Sequence, residues 1–183
     1  CTSFNPVKNL GAMGDAGAVM GSKENMDLVR LYRDHGSKVK NEIDVLGYNC
    51  RIDNLQARIV QAKLKKIDQW IDRKRKICHY YNEHLSSLVQ TPITVEGNSH
   101  SYSLYVIKTA NRDGLKEHLS NAGIQTNIHY QRTTNTQPAF KEFYKECPNA
   151  EQTVKEILTL PSFYSISDAE VDYVVDSIRN WSK

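Results

Sequence analysis

The sequence predicts an α/β chain that closes in a smaller α+β domain, and three observations carry that expectation. A lysine-bearing, glycine-spaced loop at the start leads into a short apolar run and a capped helix. A stripe of apolar residues at helical spacing then runs from Ile52 to Leu85, a spine joining a larger domain to a smaller one. From Ser101 onward, strand patterns alternate with helical ones as far as the last helix.

At 183 residues the chain is long enough to bury a core, in one large domain or two small ones. Hydrophobic residues at 39% and charged residues at 25% give a soluble, globular composition. A net charge of +3 is too small to argue for a nucleic-acid partner. No apolar run approaches a membrane span, and no signal peptide is visible. Cys1, Cys50, Cys78 and Cys147 lack metal-ligand spacing, so neither a disulfide framework nor a metal site is expected. A reducing cytoplasm is the default location.

The elements follow in order. Ala16 to Met20 is a short apolar run of small residues and reads as a buried strand. Ser22 caps a helix through about Asp34, with Met26, Leu28, Val29, Leu31 and Tyr32 on its apolar face and Gly36 closing it. Residues 37–46 are polar and charged and read as a loop. Asp53 caps a long helix whose stripe includes Leu55, Ile59, Leu64, Ile67, Ile71, Tyr81 and Leu85, with nothing to break it before about Ser86. Its lysines and arginines form a solvated face, since no aromatics interleave with them as a stacking platform.

Tyr102, Leu104 and Val106 alternate with Ser103, Tyr105 and Ile107, a strand over 101–109. Arg112 to Asn121 is a helix carrying Leu115 and Leu119, with Gly123 at its C′ position. Ile124 to Tyr130 reads as a second strand. Gln137-Pro138 opens a short helix, and Asn149 caps another through about Leu158, ended by Leu160-Pro161. Ser167 caps the last helix, with Asp168 and Glu170 in its first turn and Val171, Val174, Val175 and Ile178 as its stripe.

The chemistry concentrates in the first fifteen residues. The hydroxyls of Thr2 and Ser3 suit a phosphate, and the glycines from Gly11 to Gly17 let backbone approach a ligand. A lysine held in a dry, shaped site is a nucleophilic amine able to condense with a carbonyl, and Lys8 stands at the centre of this stretch. Taken alone, a lysine among 24 basic residues is a surface charge, and a glycine-spaced run is a turn.

The whole stretch is more specific than its parts. Ser3-Phe4-x-x-x-Lys8-Asn9-Leu10 followed by Gly14-Asp15-x-Gly17-Ala18 resembles the lysine segment of the DegT/DnrJ/EryC1/StrS family of sugar aminotransferases. Gly47-Tyr48-Asn49-x-Arg51, Leu55-Gln56-Ala57, Arg73-x-Arg75 with Tyr80-Tyr81, Gly123-Ile124 with His129-Tyr130, and Leu160-Pro161 recur in the family's order. The resemblance covers nearly the full chain. It implies the fold-type I, aspartate aminotransferase-like architecture, with residues 1–68 as the C-terminal part of the large pyridoxal phosphate-binding domain and 69–183 as the small α+β domain.

The same resemblance implies roles. Lys8 would carry pyridoxal 5′-phosphate as a Schiff base and act as the base and acid that moves the proton. Ser3 would bind the cofactor phosphate. Asn49, in isolation a turn residue, would reach across a homodimer to the neighbour's phosphate, making the active site composite, and Arg51 would anchor its loop near the cofactor. The amino donor would be glutamate and the acceptor a keto-sugar of a nucleotide sugar, in polysaccharide or related amino-sugar biosynthesis. His129 and Tyr130 resemble residues at the mouth of the site, although a histidine ending a strand is by sequence alone a surface or packing residue.

Departures bear on the substrate. Where the family continues with prolines and a second histidine, this chain has Gln131 to Thr136. Asn135 stands in the histidine's place, and Arg132 adds a charge suited to a diphosphate. Arg58 replaces a small residue and must reach solvent or a carboxylate. Lys8 itself speaks against the family's dehydratases, which carry histidine there. A non-catalytic or regulatory relative, or an inactive fragment, is the remaining alternative. The chain opens at Cys1 without methionine, in what reads as a strand, and the comparison implies that an N-terminal half completes the cofactor pocket.

Overall fold

A computed structural model describes residues 1–181. The chain divides into two compact units, Cys1–Gln69 and Trp70–Lys183. No helix among the described residues is long and apolar enough to cross a membrane.

In the first unit, β1 (Thr2–Ser3) pairs antiparallel with β2 (Gly17–Ala18), Thr2 opposite Ala18 and Ser3 opposite Gly17. The expected buried strand over Ala16–Met20 shrinks to this pair, and Met20 is 75% exposed. Helix α1 (Lys23–Arg33) begins where its cap predicts, with the Asn25 N–H donating to Ser22 Oγ at 3.3 Å. The expected single helix from Asp53 to Ser86 is two: α2 (Asn54–Leu64) and α3 (Ile67–Leu85). Asp53 occupies the cap position without a side-chain bond. At the break the Lys66 N–H donates to the Lys63 carbonyl, a tighter turn than the α-helix allows. Arg58 is exposed, and its guanidinium donates to Gln61 on the same helix rather than to a carboxylate.

The second unit holds one hydrophobic core. Strands β3 (Tyr105–Lys108) and β4 (Ile157–Leu160) pair antiparallel, Tyr105 opposite Leu160. Gln90 bridges to Lys108 on one side and Asn127 to Thr159 on the other. The ladder is therefore flanked by single-residue bridges, and the expected strand over Ile124–Tyr130 is reduced to the one at Asn127. Helix α4 (Arg112–Asn121) is capped by Asn111 and closed by Gly123 at φ +75°. Helix α5 (Pro148–Glu156) starts after Cys147 rather than at Asn149 and stops at Ile157, so residues expected to finish a helix form β4 instead. The physical reason is burial. All four β4 residues are buried, which a strand flanked on both edges achieves and one face of a surface helix does not.

Helix α6 (Asp168–Trp181) is started by a reciprocal cap: the Glu170 N–H donates to Ser167 Oγ and the Ser167 N–H to Glu170 Oε2. Ile77, Tyr81 and Leu85 of α3, Leu115 and Leu119 of α4, and Val174, Val175 and Ile178 of α6 close the core around β3 and β4. The buried tyrosines keep their hydroxyls paired, Tyr81 donating to the Pro161 carbonyl and Tyr105 to Asn82 Oδ1. Burial pushes the Cys78 thiol up to about 12, against the pull of Lys74, so it stays protonated and unreactive.

Candidate functional site

The lysine loop is held by its own backbone and by α2. The Asn5 N–H donates to Ser3 Oγ at 3.2 Å, and Asn5 Nδ2 donates to Asp15 Oδ1 at 2.8 Å. The Val7 N–H donates to Asn5 Oδ1 and the Lys8 N–H to the Asn5 carbonyl, so Asn5 organises the turn that presents Lys8. A Cβ on Gly11 would lie 2.5 Å from the Pro6 carbonyl oxygen, so this crossing of loop over loop needs glycine. Gln56 and Lys63 of α2 fix the far side, Gln56 Oε1 accepting from the Met13 N–H at 2.8 Å and Lys63 Nζ donating to the Gly11 carbonyl at 2.6 Å.

Ser3 and Lys8 are thus brought onto one tight loop with both side chains exposed. Among the described residues none forms a hydrogen bond or ion pair with the Lys8 amine. The loop therefore offers a hydroxyl that accepts and donates and an amine able to bond covalently.

Asn49 is placed elsewhere in the same unit. Its segment folds back along the end of α1, the Tyr48 N–H donating to the Tyr32 carbonyl and the Cys50 N–H to the Arg33 carbonyl. Gly36 and Gly47 make this possible. A Cβ on Gly36, at φ +73°, would lie 1.8 Å from the Val45 oxygen, and one on Gly47 would lie 2.1 Å from the Gly36 nitrogen. Arg51 pins the segment through an ion pair with Asp34 at 2.8 Å. Asn49 is exposed and, with Thr2, Asp15, Gly17 and Arg51, lines a cavity of about 900 Å³ that neither Ser3 nor Lys8 lines.

In the second unit His129 is half-buried, with Nδ1 2.9 Å from Thr159 Oγ1 and its ring edge-on to Tyr130 at 5.5 Å. Tyr130 and Arg132 are exposed. Asn135 is taken up structurally: its Nδ2 donates to the Lys145 carbonyl and to Glu151 Oε1. The Cys147 N–H and Asn135 together hold the Glu151 carboxyl below its usual range. No group of three or more His, Cys, Asp or Glu residues able to hold a metal occurs among the described residues.

Gln56, Lys63, Asn127 and Thr159 support the candidate residues and were not expected from sequence. Only Gln56 carried a signal, as the centre of Leu55-Gln56-Ala57.

A family model, that of the DegT/DnrJ/EryC1/StrS aminotransferase family, matches residues 1–179. The chain is 39% identical to a pleiotropic regulatory protein of Geobacillus stearothermophilus, over 98% of this chain and 50% of that protein. It is 32% identical to the dTDP-3-amino-3,4,6-trideoxy-α-D-glucose transaminase of Streptomyces venezuelae, over 99% of this chain and 49% of that one. Among solved structures, that of NtdA from Bacillus subtilis with its bound cofactor PMP matches with a TM-score of 0.89 at 26% identity, over 98% of this chain and 45% of that one. The chain spans about half the length of the curated relatives it matches.

Proposed function

The chain belongs to the DegT/DnrJ/EryC1/StrS aminotransferase family and has its fold-type I architecture, and from that premise we propose that it is part of a pyridoxal phosphate-dependent nucleotide-sugar aminotransferase. The enzyme takes an amino group from an amino acid, glutamate, and delivers it to a keto-sugar. Residues 1–68 belong to its large domain and 69–183 form its small one. It works in the cytoplasm as a homodimer and requires residues beyond this chain to complete the cofactor pocket.

The observation that carries the reading is the loop bearing Ser3 and Lys8, a free amine and a hydroxyl held exposed on a backbone too tight for any residue but glycine at position 11. These donors fit the cofactor: Ser3 Oγ would hydrogen-bond its phosphate, and Lys8 Nζ would be the amine that holds it covalently. Bound there, pyridoxal phosphate would supply the electron sink for amino transfer. Lys8 Nζ would serve as the base and then the acid that moves the proton between the donor carbon and the cofactor carbon. Asn5, Gln56 and Lys63 keep the loop from moving, which positions that nitrogen. Asn49 binds the phosphate of the neighbouring subunit, in keeping with its place on a different surface from Ser3. His129 and Tyr130 contact the sugar, and Arg132 its diphosphate.

A second reading is favoured by one observation, the regulatory name of the Geobacillus relative. The two separate in a turnover assay of the full-length protein with L-glutamate and a nucleotide keto-sugar. Amino transfer that vanishes in Lys8→Ala, with folding retained, supports the enzyme. No transfer by cofactor-saturated wild type across a panel of keto-sugars supports the regulator.

A further inference from the structure

Asn127, His129 and Thr159 form a short relay in the second unit. The Ile128 N–H donates to Asn127 Oδ1 at 2.7 Å, which fixes the amide so that Nδ2 is the atom turned toward the histidine. That Nδ2 lies 3.5 Å from His129 Nε2, while His129 Nδ1 lies 2.9 Å from Thr159 Oγ1. An amide NH₂ can only donate, so Nε2 is the accepting nitrogen. The neutral ring therefore carries its proton on Nδ1, which donates to the threonine hydroxyl.

The two flanking residues are fixed to each other through their backbones. The Thr159 N–H donates to the Asn127 carbonyl at 2.7 Å and the Asn127 N–H to the Thr159 carbonyl at 3.2 Å. Thr159 is 7% exposed, and the Tyr130 ring closes one edge of the imidazole. Asn127 and Thr159, though not His129 itself, line an open cavity of about 700 Å³ beside Gln125, Thr126 and Pro161.

We infer that Thr159 and Asn127 are positioning residues that preset His129 as its Nδ1–H tautomer, so that Nε2 offers a lone pair to a hydroxyl of the sugar substrate. The inference rests on the reading of His129 as a substrate-binding residue. The contact from Asn127 is long, so an incoming O–H displaces the amide from Nε2 while the Nδ1–Thr159 bond persists. A hydroxyl is the class that fits, because Nε2 needs a donor. An ionised phosphate or a keto oxygen has no proton to give.

The test uses the full-length protein with ¹⁵N-labelled histidine, the His129 signals being identified by their loss in His129→Gln. Wild type should show the Nδ1–H pattern in long-range proton–nitrogen correlations. Thr159→Val keeps the shape and strand preference but removes the acceptor. It should shift the ring toward the Nε2–H form and raise KM for the keto-sugar roughly five- to tenfold, with a smaller change in kcat. Thr159→Ser should restore both, and Asn127→Asp, an acceptor in place of a donor, should reverse the tautomer. An Nε2–H pattern in wild type overturns the inference. So does a Thr159→Val protein whose tautomer shifts while KM for the sugar stays at the wild-type value. Conversion of the bound cofactor by L-glutamate, measured without sugar, separates this from the wider proposal. If wild type fails that step the aminotransferase reading fails, and the substrate half of this inference with it, while the spectra still decide whether the clamp exists.

Discussion

Glu151 shows how a single side chain on the surface can order a loop. It accepts from the Cys147 N–H at 3.0 Å and from Asn135 at 2.7 Å, and both bonds favour the ionised carboxylate. Its folded pKa is depressed, so its contribution is present above the unfolded value and lost as pH falls through the folded one. The segment from Asn135 to Cys147 should therefore stay ordered down through the ordinary carboxylate range and loosen in more acidic solution. Amide exchange at Cys147, corrected for intrinsic rates, measures this, and Glu151→Gln should remove the acid-dependent step. A Glu151 that titrates at its ordinary value would defeat the account. Asn135 is thus an organiser of its own loop, and its amide holds Glu151.

Among the elements, the segment after α1 is the most demanding sterically. Gly36 and Gly47 cross at a distance that leaves no room for a Cβ, and Gly36 also sits at positive φ. Gly36→Ala should destabilise the full-length protein by about 1–3 kcal/mol at the least, the usual range for backbone strain of this kind, and displace Asn49. Thermal unfolding at fixed cofactor concentration reports it, and an unchanged Tm would contradict the crossing. Helix-start signals were legible where they are local: Ser22 and Ser167 each cap the helix expected of them. The break between α2 and α3 was not, because Lys65 and Lys66 are good helix formers with no glycine or proline between the stripes. Strand β4 was hidden for a different reason. Ile157-Leu158-Thr159-Leu160 is a short apolar run that periodicity cannot tell from the end of the helix before it, and only its pairing with β3 decides.

At the scale of the whole molecule, the two units differ in how much of themselves they bury. The second contains a continuous core, whereas Ala12 and Val60 are the only buried hydrophobics among the described residues of the first. The candidate residues Ser3 and Lys8 stand out as a motif, but the partners that fix their loop do not. Gln56 and Lys63 lie 43 and 52 residues beyond the Met13 and Gly11 they bond, a distance no local pattern spans. Asn49 carries the prediction that belongs to this scale. If it serves the neighbour's phosphate, Asn49→Ala should cost about 1.5–3 kcal/mol of cofactor binding, roughly ten- to a hundredfold in affinity. Mixing full-length Lys8→Ala with full-length Asn49→Ala should then restore activity after subunit exchange, because the hybrid gathers both lesions in one site and leaves the other intact. No recovery would place Asn49 within its own chain's site.

The central claim is that Lys8 is the amine that holds the cofactor, and borohydride reduction tests it most directly. Full-length protein saturated with pyridoxal phosphate, reduced, digested and mapped by mass spectrometry should carry the pyridoxyl group on the peptide containing Lys8. The label on a different lysine, or no label at saturation, would contradict the account.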